Sequence, residues 1–224
     1  MNDTNAARRR WLGVVAAFGA ADFALTVSRA LAKGDMPLTP AIHHLEGTAK
    51  VNGRDAKVGT PVSMGDKVST GAKSQAVIVL GGDAFLLRSD TTLEVKGTGS
   101  TLAELSVAAG KVLSVFAKKP VAIKAATASI GIRGTAGYLE VDDAEVYFCL
   151  CYGEADLTLP GAASVAVKTT HHESPMLMRT GGGAARIEPA GFRDHKDAEL
   201  VMLESLVGRE PPFVKDATYP ANKY

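Results

Sequence analysis

The side chains of this sequence best suited to chemistry arrive in pairs. Cys149 and Cys151, the two cysteines of the chain, stand one residue apart in Val146-Tyr147-Phe148-Cys149-Leu150-Cys151-Tyr152. Residues two apart on a β-strand share a face, so both thiols point the same way with Cα atoms about 6.5 to 7 Å apart. A disulfide needs converging Cβ vectors and a Cα separation usually below about 6.8 Å, so an unstrained strand disfavours one. Two parallel thiolates could instead bracket a soft ion such as Cu(I) or Zn(II). His43-His44, His171-His172 and Met176 with Met178 supply the other ligand types. Because two thiolates leave a tetrahedral zinc two ligands short, His171 and His172 are the next candidates. The competing reading is packing. Buried cysteines commonly behave as small hydrophobes, and no ligand spacing here matches a zinc ribbon or finger. Tyr147 beside the cysteines and Phe148 and Leu150 opposite describe a strand covered on both sides. The expectation is therefore core-facing thiols and no cofactor, with a Cu or Zn site at Cys149, Cys151, His171 and His172 as the alternative.

Nothing in the sequence sets a base beside a nucleophile, and no enzyme is expected. Ser164 and Ser174 lack the glycine elbow of a hydrolase nucleophile. His195 reads as a lone histidine at a helix start, capping or facing water. Glu140, Asp142, Asp143 and Glu145 form an acidic hairpin that reads as solvated, although paired carboxylates can act as acid and base or ligate calcium. Gly181-Gly182-Gly183 has neither the preceding strand nor the following Lys-Ser or Lys-Thr of a nucleotide-binding loop.

These residues must be positioned by short strands. With 23 Gly and 10 Pro among 224 residues, and 46% hydrophobic against 22% charged residues, the composition suits one soluble domain rich in strands and turns. From Leu45 to Val167, short apolar runs alternate with Gly, Asp and Asn punctuation every 8 to 12 residues or so, enough for about ten to twelve strands. Among them are Ser74 to Leu80, closed by Gly81-Gly82-Asp83, then Ala84 to Arg88 and Thr91 to Lys96. Val121, Ile123 and Ala125 alternate with Ala122 and Lys124, which gives one buried and one wet face. Asn52-Gly53 supplies hairpin chemistry. Thr180 to Ala185 reads as a flexible connector. A helix follows from Asp194 or His195 to about Val207, with Ala198, Val201, Met202 and Leu206 on one face and Gly208 stopping it. Arg209 to Tyr224, with Pro211, Pro212 and Pro220, reads as a strap or a loose end.

The amino terminus reads as a targeting segment. Arg8, Arg9 and Arg10 precede the apolar run Trp11 to Ala21, about half of the roughly 20 residues needed to cross a bilayer. Asp22 would lie near the middle of any longer span, at a cost of about 2.5 to 3.5 kcal/mol. Ala30-Leu31-Ala32 suits cleavage, so residues 1–32 are expected to be an export signal. Ala7-Arg8-Arg9-Arg10-Trp11-Leu12 resembles the twin-arginine type. No stable membrane span is expected after cleavage. A net charge of +1 lacks the cationic footprint of a nucleic-acid binder.

A family resemblance spans residues 45–160. It rests on Val51-Asn52-Gly53, Val58-Gly59, Gly65-Asp66-Lys67-Val68-Ser69-Thr70-Gly71, Thr92-Leu93-Glu94-Val95, Gly110-Lys111-Val112 and Ala128-Ser129-Ile130-Gly131-Ile132-Arg133-Gly134-Thr135. In order and spacing these resemble the FecR domain, the periplasmic domain of iron-dicitrate-type transport regulators. The resemblance implies an all-β, single compact β-solenoid or β-roll over residues 45–168, with 169–224 forming a loop, a short helix and a Pro-rich tail. It also implies a periplasmic location and a part in signal transduction through an unidentified periplasmic or membrane protein partner. The namesakes couple an iron transporter to a cytoplasmic sigma factor. Only Met1 to Arg10 precede the apolar run here, too few to hold a sigma factor, so fold and compartment are carried over and iron signalling is the less supported part. The motif residues, Thr135 among them, read as structural: Gly65, Asp66 and Gly71 as turn makers, and Gly131, Gly134 and Gly137 as flanking Arg133 in an arc, where its guanidinium could satisfy several turn carbonyls.

Overall fold

Strands whose apolar residues face both ways need cover on both ways, and the structure supplies it. The protein is described by a computed structural model over residues 38–143, 145–180 and 183–215; the export signal expected at residues 1–32 lies outside the described residues. Fourteen strands form one sheet. They are β1 (Ala41–Glu46), β2 (Ala49–Val51), β3 (Arg54–Ala56), β4 (Lys67–Thr70), β5 (Gln75–Leu80), β6 (Asp83–Leu87) and β7 (Thr92–Thr98), then β8 (Thr101–Val115), β9 (Pro120–Ala125), β10 (Ala128–Val141), β11 (Glu145–Thr158), β12 (Val165–Thr169), β13 (Met176–Arg179) and β14 (Arg186–Pro189). Among the described residues one α-helix, α1 (Asp197–Leu206), and a short 3-10 turn, Pro212–Lys215, follow. The chain is all-β, as its turn spacing predicts. Every strand pairing is antiparallel except β8 with β9. Among the described residues no helix is long and apolar enough to cross a membrane.

One face of the sheet encloses the larger core, to which strands from β1 to β13 contribute, including Ile42, Ile78, Phe85, Leu105, Ile130, Phe148 and Leu157. The other face is buried under the C-terminal segment, with Val77, Leu86, Leu113, Tyr138, Tyr147, Cys149 and Cys151 packed against Leu200, Met202, Leu203 and Leu206 of α1. The helix turns further than expected: Leu200 and Leu203 are fully buried, while Ala198 and Val201 are half-buried. The Glu199 carboxylate accepts a 2.9 Å bond from the Lys196 amide ahead of the helix. Gly208, at φ +73°, ends it.

The three long strands keep their apolar residues inward by changing parity at a glycine. In β11, Val146, Phe148 and Leu150 face the larger core before Gly153, and Ala155 and Leu157 after it, with Leu159 just past the strand end. In β10 the switch runs from Ala128, Ile130 and Ile132 to Leu139 and Val141, and the pairing register shifts between Arg133 and Ala136. In β8, Leu105 and Val107 give way to Val112 after Gly110. Because side chains alternate with period two, one inserted residue flips the faces. Gly153 has φ +101°, and a Cβ there would lie 2.2 Å from the Thr135 methyl carbon, so only glycine makes this bulge. The bulges free the odd residues 147, 149 and 151 to face the C-terminal segment.

Several expectations are corrected. The sheet continues past Lys168: β13 pairs with β14, Met178 opposite Ile187, and part of the expected flexible connector, residues 181–182, lies outside the described residues. Of the strap and loose-end readings of Arg209 onward, the described part fits the strap, with Arg209 bound to Glu204 at 2.6 Å and Phe213 buried. Arg133 is exposed and pairs across the strands with Asp156 at 3.1 Å, so it organises no ring of turn carbonyls. Gly134 holds φ +58°, whereas Gly131 is not in the left-handed region and a Cβ there would meet nothing closer than 3.9 Å. Thr135 is buried in the β10 bulge. Gly65, at φ +94°, precedes Asp66, whose carboxylate accepts bonds from the Ser63 amide and the Asn52 side chain at 2.7 Å each. Gly71 leaves no room for a Cβ, which would fall 2.4 Å from the Thr48 hydroxyl.

Candidate metal centre

Three segments converge on the cysteine side of β11. The strand presents Cys149 and Cys151, both with no exposed surface. The loop after β12 brings His171 and His172 back over the strand, where the His172 amide donates to the Cys151 carbonyl at 3.1 Å. That loop is tied by Glu173, whose carboxylate accepts from the Thr169 hydroxyl, from the Thr170 amide and hydroxyl at 2.7 and 2.6 Å, and from the His171 amide at 3.1 Å. The strap after β14 then carries His195, followed by Asp197 in the first turn of α1. His172 and Asp194 hold left-handed backbone, at φ +58° and +47°. Strain of this kind in non-glycine residues persists only where surrounding structure imposes it.

The side-chain atoms meet closely. Cys149 Sγ is 3.6 Å from His172 Nδ1, Cys151 Sγ is 3.5 Å from His195 Nε2, and His195 Nε2 is 3.0 Å from His172 Nδ1. The ligand atoms of Cys149, His172 and His195 all lie within 4.8 Å of one another. Bond lengths of about 2.3 Å for zinc to sulfur and 2.0 to 2.1 Å to nitrogen place the ligand atoms of a tetrahedral ion about 3.3 to 3.8 Å apart. The spacings here match that scale, slightly contracted between the two nitrogens.

The far side of each ring fixes its tautomer. His195 Nδ1 lies 2.6 Å from the Arg193 carbonyl oxygen, which only accepts, so Nδ1 carries the hydrogen. His172 Nε2 donates in the same way to Asp197 Oδ1 at 3.1 Å, and His171 Nε2 sits 2.9 Å from that oxygen. Burial raises the Asp197 carboxyl, but hydrogen bonds from His172 and His171 outweigh it and hold the group below its usual range. It is a carboxylate, and an acceptor. Both imidazoles therefore turn a bare nitrogen toward the thiols. This is how a metal-binding histidine is oriented by a carboxylate or carbonyl behind it.

The electrostatics agree. Cys149 is pushed well down, first by its hydrogen bond with Cys151, then by His172 and His195, against burial. Cys151 is pushed up, by burial first and by Cys149 second. Burial pulls His172 down, but Asp197 and Cys149 prevail and raise it. Aromatic rings close the cluster: Tyr138 stacks on His195 at 4.6 Å, Phe192 contacts His195 and His172 at 4.5 and 5.2 Å, and Phe213 covers His171 at 4.5 Å. Ion pairs hold the strap down around it, Arg88 with Glu199 at 2.9 Å, Lys111 with Asp194 at 3.0 Å, and Arg193 with Glu140 and Glu145 at 3.3 Å each.

The structure thus unites Cys149, Cys151, His171 and His172, and adds His195 and Asp197. The other candidates lie elsewhere. Met176 and Met178 face the opposite core. His44 is near Glu46 on β1, and His43 bonds the Thr39 carbonyl. His195 is no surface cap but 2% exposed. Glu140 and Glu145 are ion-paired rather than solvated, and the Asp142 carboxylate accepts from the Glu145 amide at 2.8 Å. His195 and Asp197 were missed by sequence reading, and the spacing His195-Lys196-Asp197 at a helix start is the one local signal that offered them.

The fold and site together define an all-β domain with a buried cluster of two thiols and two oriented imidazoles. No protein-family model and no curated protein matches the chain. Two crystal structures of a candidate anti-sigma factor from Parabacteroides distasonis are similar in fold, each with a TM-score of 0.47 and 11% identity over 55% of this chain. The match spans 59% of those chains.

Proposed function

We propose that the chain is an exported, non-enzymatic sensing or interaction module of FecR type whose β domain holds one soft metal ion through Cys149, Cys151, His172 and His195. One observation carries the metal: two imidazole nitrogens 3.0 Å apart, each with its partner nitrogen already donating outward, need a cation between or beside them. A metal ion satisfies Cys149, His172 and His195 together, whose ligand atoms lie within 4.8 Å of one another, and Cys151, with its Sγ 3.5 Å from His195 Nε2, closes onto it as the fourth ligand. Zinc is favoured over Cu(I), because a divalent ion with two thiolates is neutral, whereas a monovalent one leaves a net negative charge buried next to the Asp197 carboxylate.

A second arrangement deserves comparison. Cys149, His172 and Asp197 stand in the order of a nucleophile, its base and the group that orients it. Cys149 has no exposed surface, however, and the strap and Phe192 lie over the histidines beside it. A substrate carbonyl has no approach, which favours a ligand role.

The test is a Co(II) titration of the reduced, purified protein. One equivalent should produce the visible bands of a tetrahedral site with sulfur-to-cobalt charge transfer, zinc should bleach them, and Cys149→Ser with Cys151→Ser should abolish them. Absence of cobalt and zinc binding overturns the metal reading. Export rests on the arginine block and Ala30-Leu31-Ala32, and is read from the mass of the protein in fractionated cells. A periplasmic product beginning at Lys33 is expected, and an intact cytosolic chain overturns it. Iron signalling and the identity of a protein partner rest on the family resemblance alone.

A further inference from the structure

The inner cluster leaves one histidine unused. His171 lies beside His172, with ring centroids 4.7 Å apart, and its Nε2, His172 Nε2 and an Asp197 oxygen form a second group of ligand atoms within 4.8 Å of one another. The two groups share His172, whose Nδ1 faces the thiols and whose Nε2 faces Asp197 and His171. Exposure rises outward along the same line. Side-chain exposure is 0% at His172, 9% at Asp197 and 10% at His171, while both cysteines are wholly covered.

An ion bound by the inner group must shed its water and pass side chains that can replace it. On the Phe192 side the cover is an aromatic ring, which offers no lone pair. On the other side, beside the Phe213 ring, stand an imidazole and a carboxylate, both suited to zinc. Resting on the metal reading above, we infer that His171 and Asp197 form an outer loading station, where a divalent transition-metal ion docks before it passes across the His172 ring to Cys149, Cys151, His172 and His195. At this station the ion displaces the His171 Nε2 hydrogen, which leaves as a proton to water. His171 belongs to the path and not to the final ligand set. Its removal changes the barrier in both directions and leaves the end states alone.

The measurement is stopped-flow uptake of Co(II) by the reduced full-length protein, with release followed by transfer to excess chelator. His171→Phe preserves a ring against Phe213 and removes the nitrogens. Uptake and release should both slow by about tenfold or more, which corresponds to about 1.4 kcal/mol of barrier, with the dissociation constant held within about threefold. A merely supporting role predicts the opposite pattern, an affinity loss of about 10 to 100-fold carried by faster release. That pattern, or unchanged rates, overturns the loading station while the inner site stands. If His171→Phe fails to fold, His171→Gln keeps a donor to Asp197 with a much poorer ligand and is held to the same criterion. Wild-type protein that binds no cobalt at all overturns the station together with the site it serves.

Discussion

His195 Nε2 and His172 Nδ1 face each other at 3.0 Å across the cysteine side of β11, although 23 residues and two strands separate them in sequence. Neither ring can turn away freely. The Arg193 carbonyl holds one from behind and the Asp197 carboxylate the other. The strap that carries His195 is itself fastened to the sheet, through Arg88 to Glu199, Lys111 to Asp194, and Arg193 to Glu140. Positions are thus fixed by the fold before any ion arrives, which lowers the ordering cost of binding.

Because the ion would bind only the folded chain, its removal should lower thermal stability. At a free zinc concentration of a hundred times the dissociation constant, the stabilisation is about 2.7 kcal/mol. For a domain of this size, each kcal/mol moves Tm by about 2 to 4 °C. Zinc should therefore raise Tm by several degrees, chelator should reverse the shift, and His195→Ala should erase the difference. A Tm indifferent to zinc in the wild type contradicts the site.

Asp197→Asn keeps the side-chain shape and removes the charge behind His172. The amide can present an N–H where an acceptor is required, so the tautomer is no longer fixed. Metal affinity should fall about 10 to 100-fold, as loss of such a supporting partner usually does. Competition with a chromophoric chelator reads the change. Affinity equal to wild type would show that Asp197 does not orient the ring.

The sequence exposed half of this site and hid the other half for a physical reason. Cys149-x-Cys151 and His171-His172 are legible because a two-residue repeat on a strand and a doubled residue in a loop announce shared direction locally. His195 and Asp197 belong to a different element, and the meeting of His195 with Cys151 is a tertiary event 44 residues distant, as is that of Asp197 with His172, 25 residues away. Core and ligand readings of the cysteines are compatible in this fold. The cysteines are core-facing, and what covers them is the histidine-bearing strap. The strand pattern up to β12 could be read from alternation and turns, but β13 and β14 could not. Met176-Leu177-Met178 is short and apolar on both faces, so no period distinguishes it.

The His171-His172 loop should loosen in acid through Glu173. Burial raises this carboxyl, yet the Thr169 and Thr170 hydroxyls and the Thr170 and His171 amides outweigh it and bring it down to about 2. A carboxyl with a lowered folded value contributes stability above its unfolded value of about 4.3 and loses it as pH falls toward the folded value. In metal-free protein, wild type should be more stable than Glu173→Gln at pH 6, and the gap should close between about pH 4 and pH 2. Urea denaturation across that range reads it. A gap constant with pH would assign the effect to shape and not to charge.

Gly153 tests the parity switch that turns the cysteines toward the strap. Its φ of +101° is costly for any L side chain, and a Cβ would overlap the Thr135 methyl at 2.2 Å. Backbone strain of this type costs about 1 to 3 kcal/mol before any clash is added. Gly153→Ala should therefore destabilise by more than about 2 kcal/mol, from strain and overpacking together. Gly131→Ala is the control on β10. Its backbone is not left-handed and the nearest neighbour of a new Cβ is an ordinary 3.9 Å away, so stability should change by less than about 1 kcal/mol. The Gly153 variant should also lose metal affinity, because straightening β11 carries Cys149 and Cys151 away from His172 and His195. Chemical denaturation and cobalt titration of the two variants give both readings. If Gly153→Ala proves as stable as Gly131→Ala and binds cobalt as tightly as wild type, the bulge does not set the direction of the thiols.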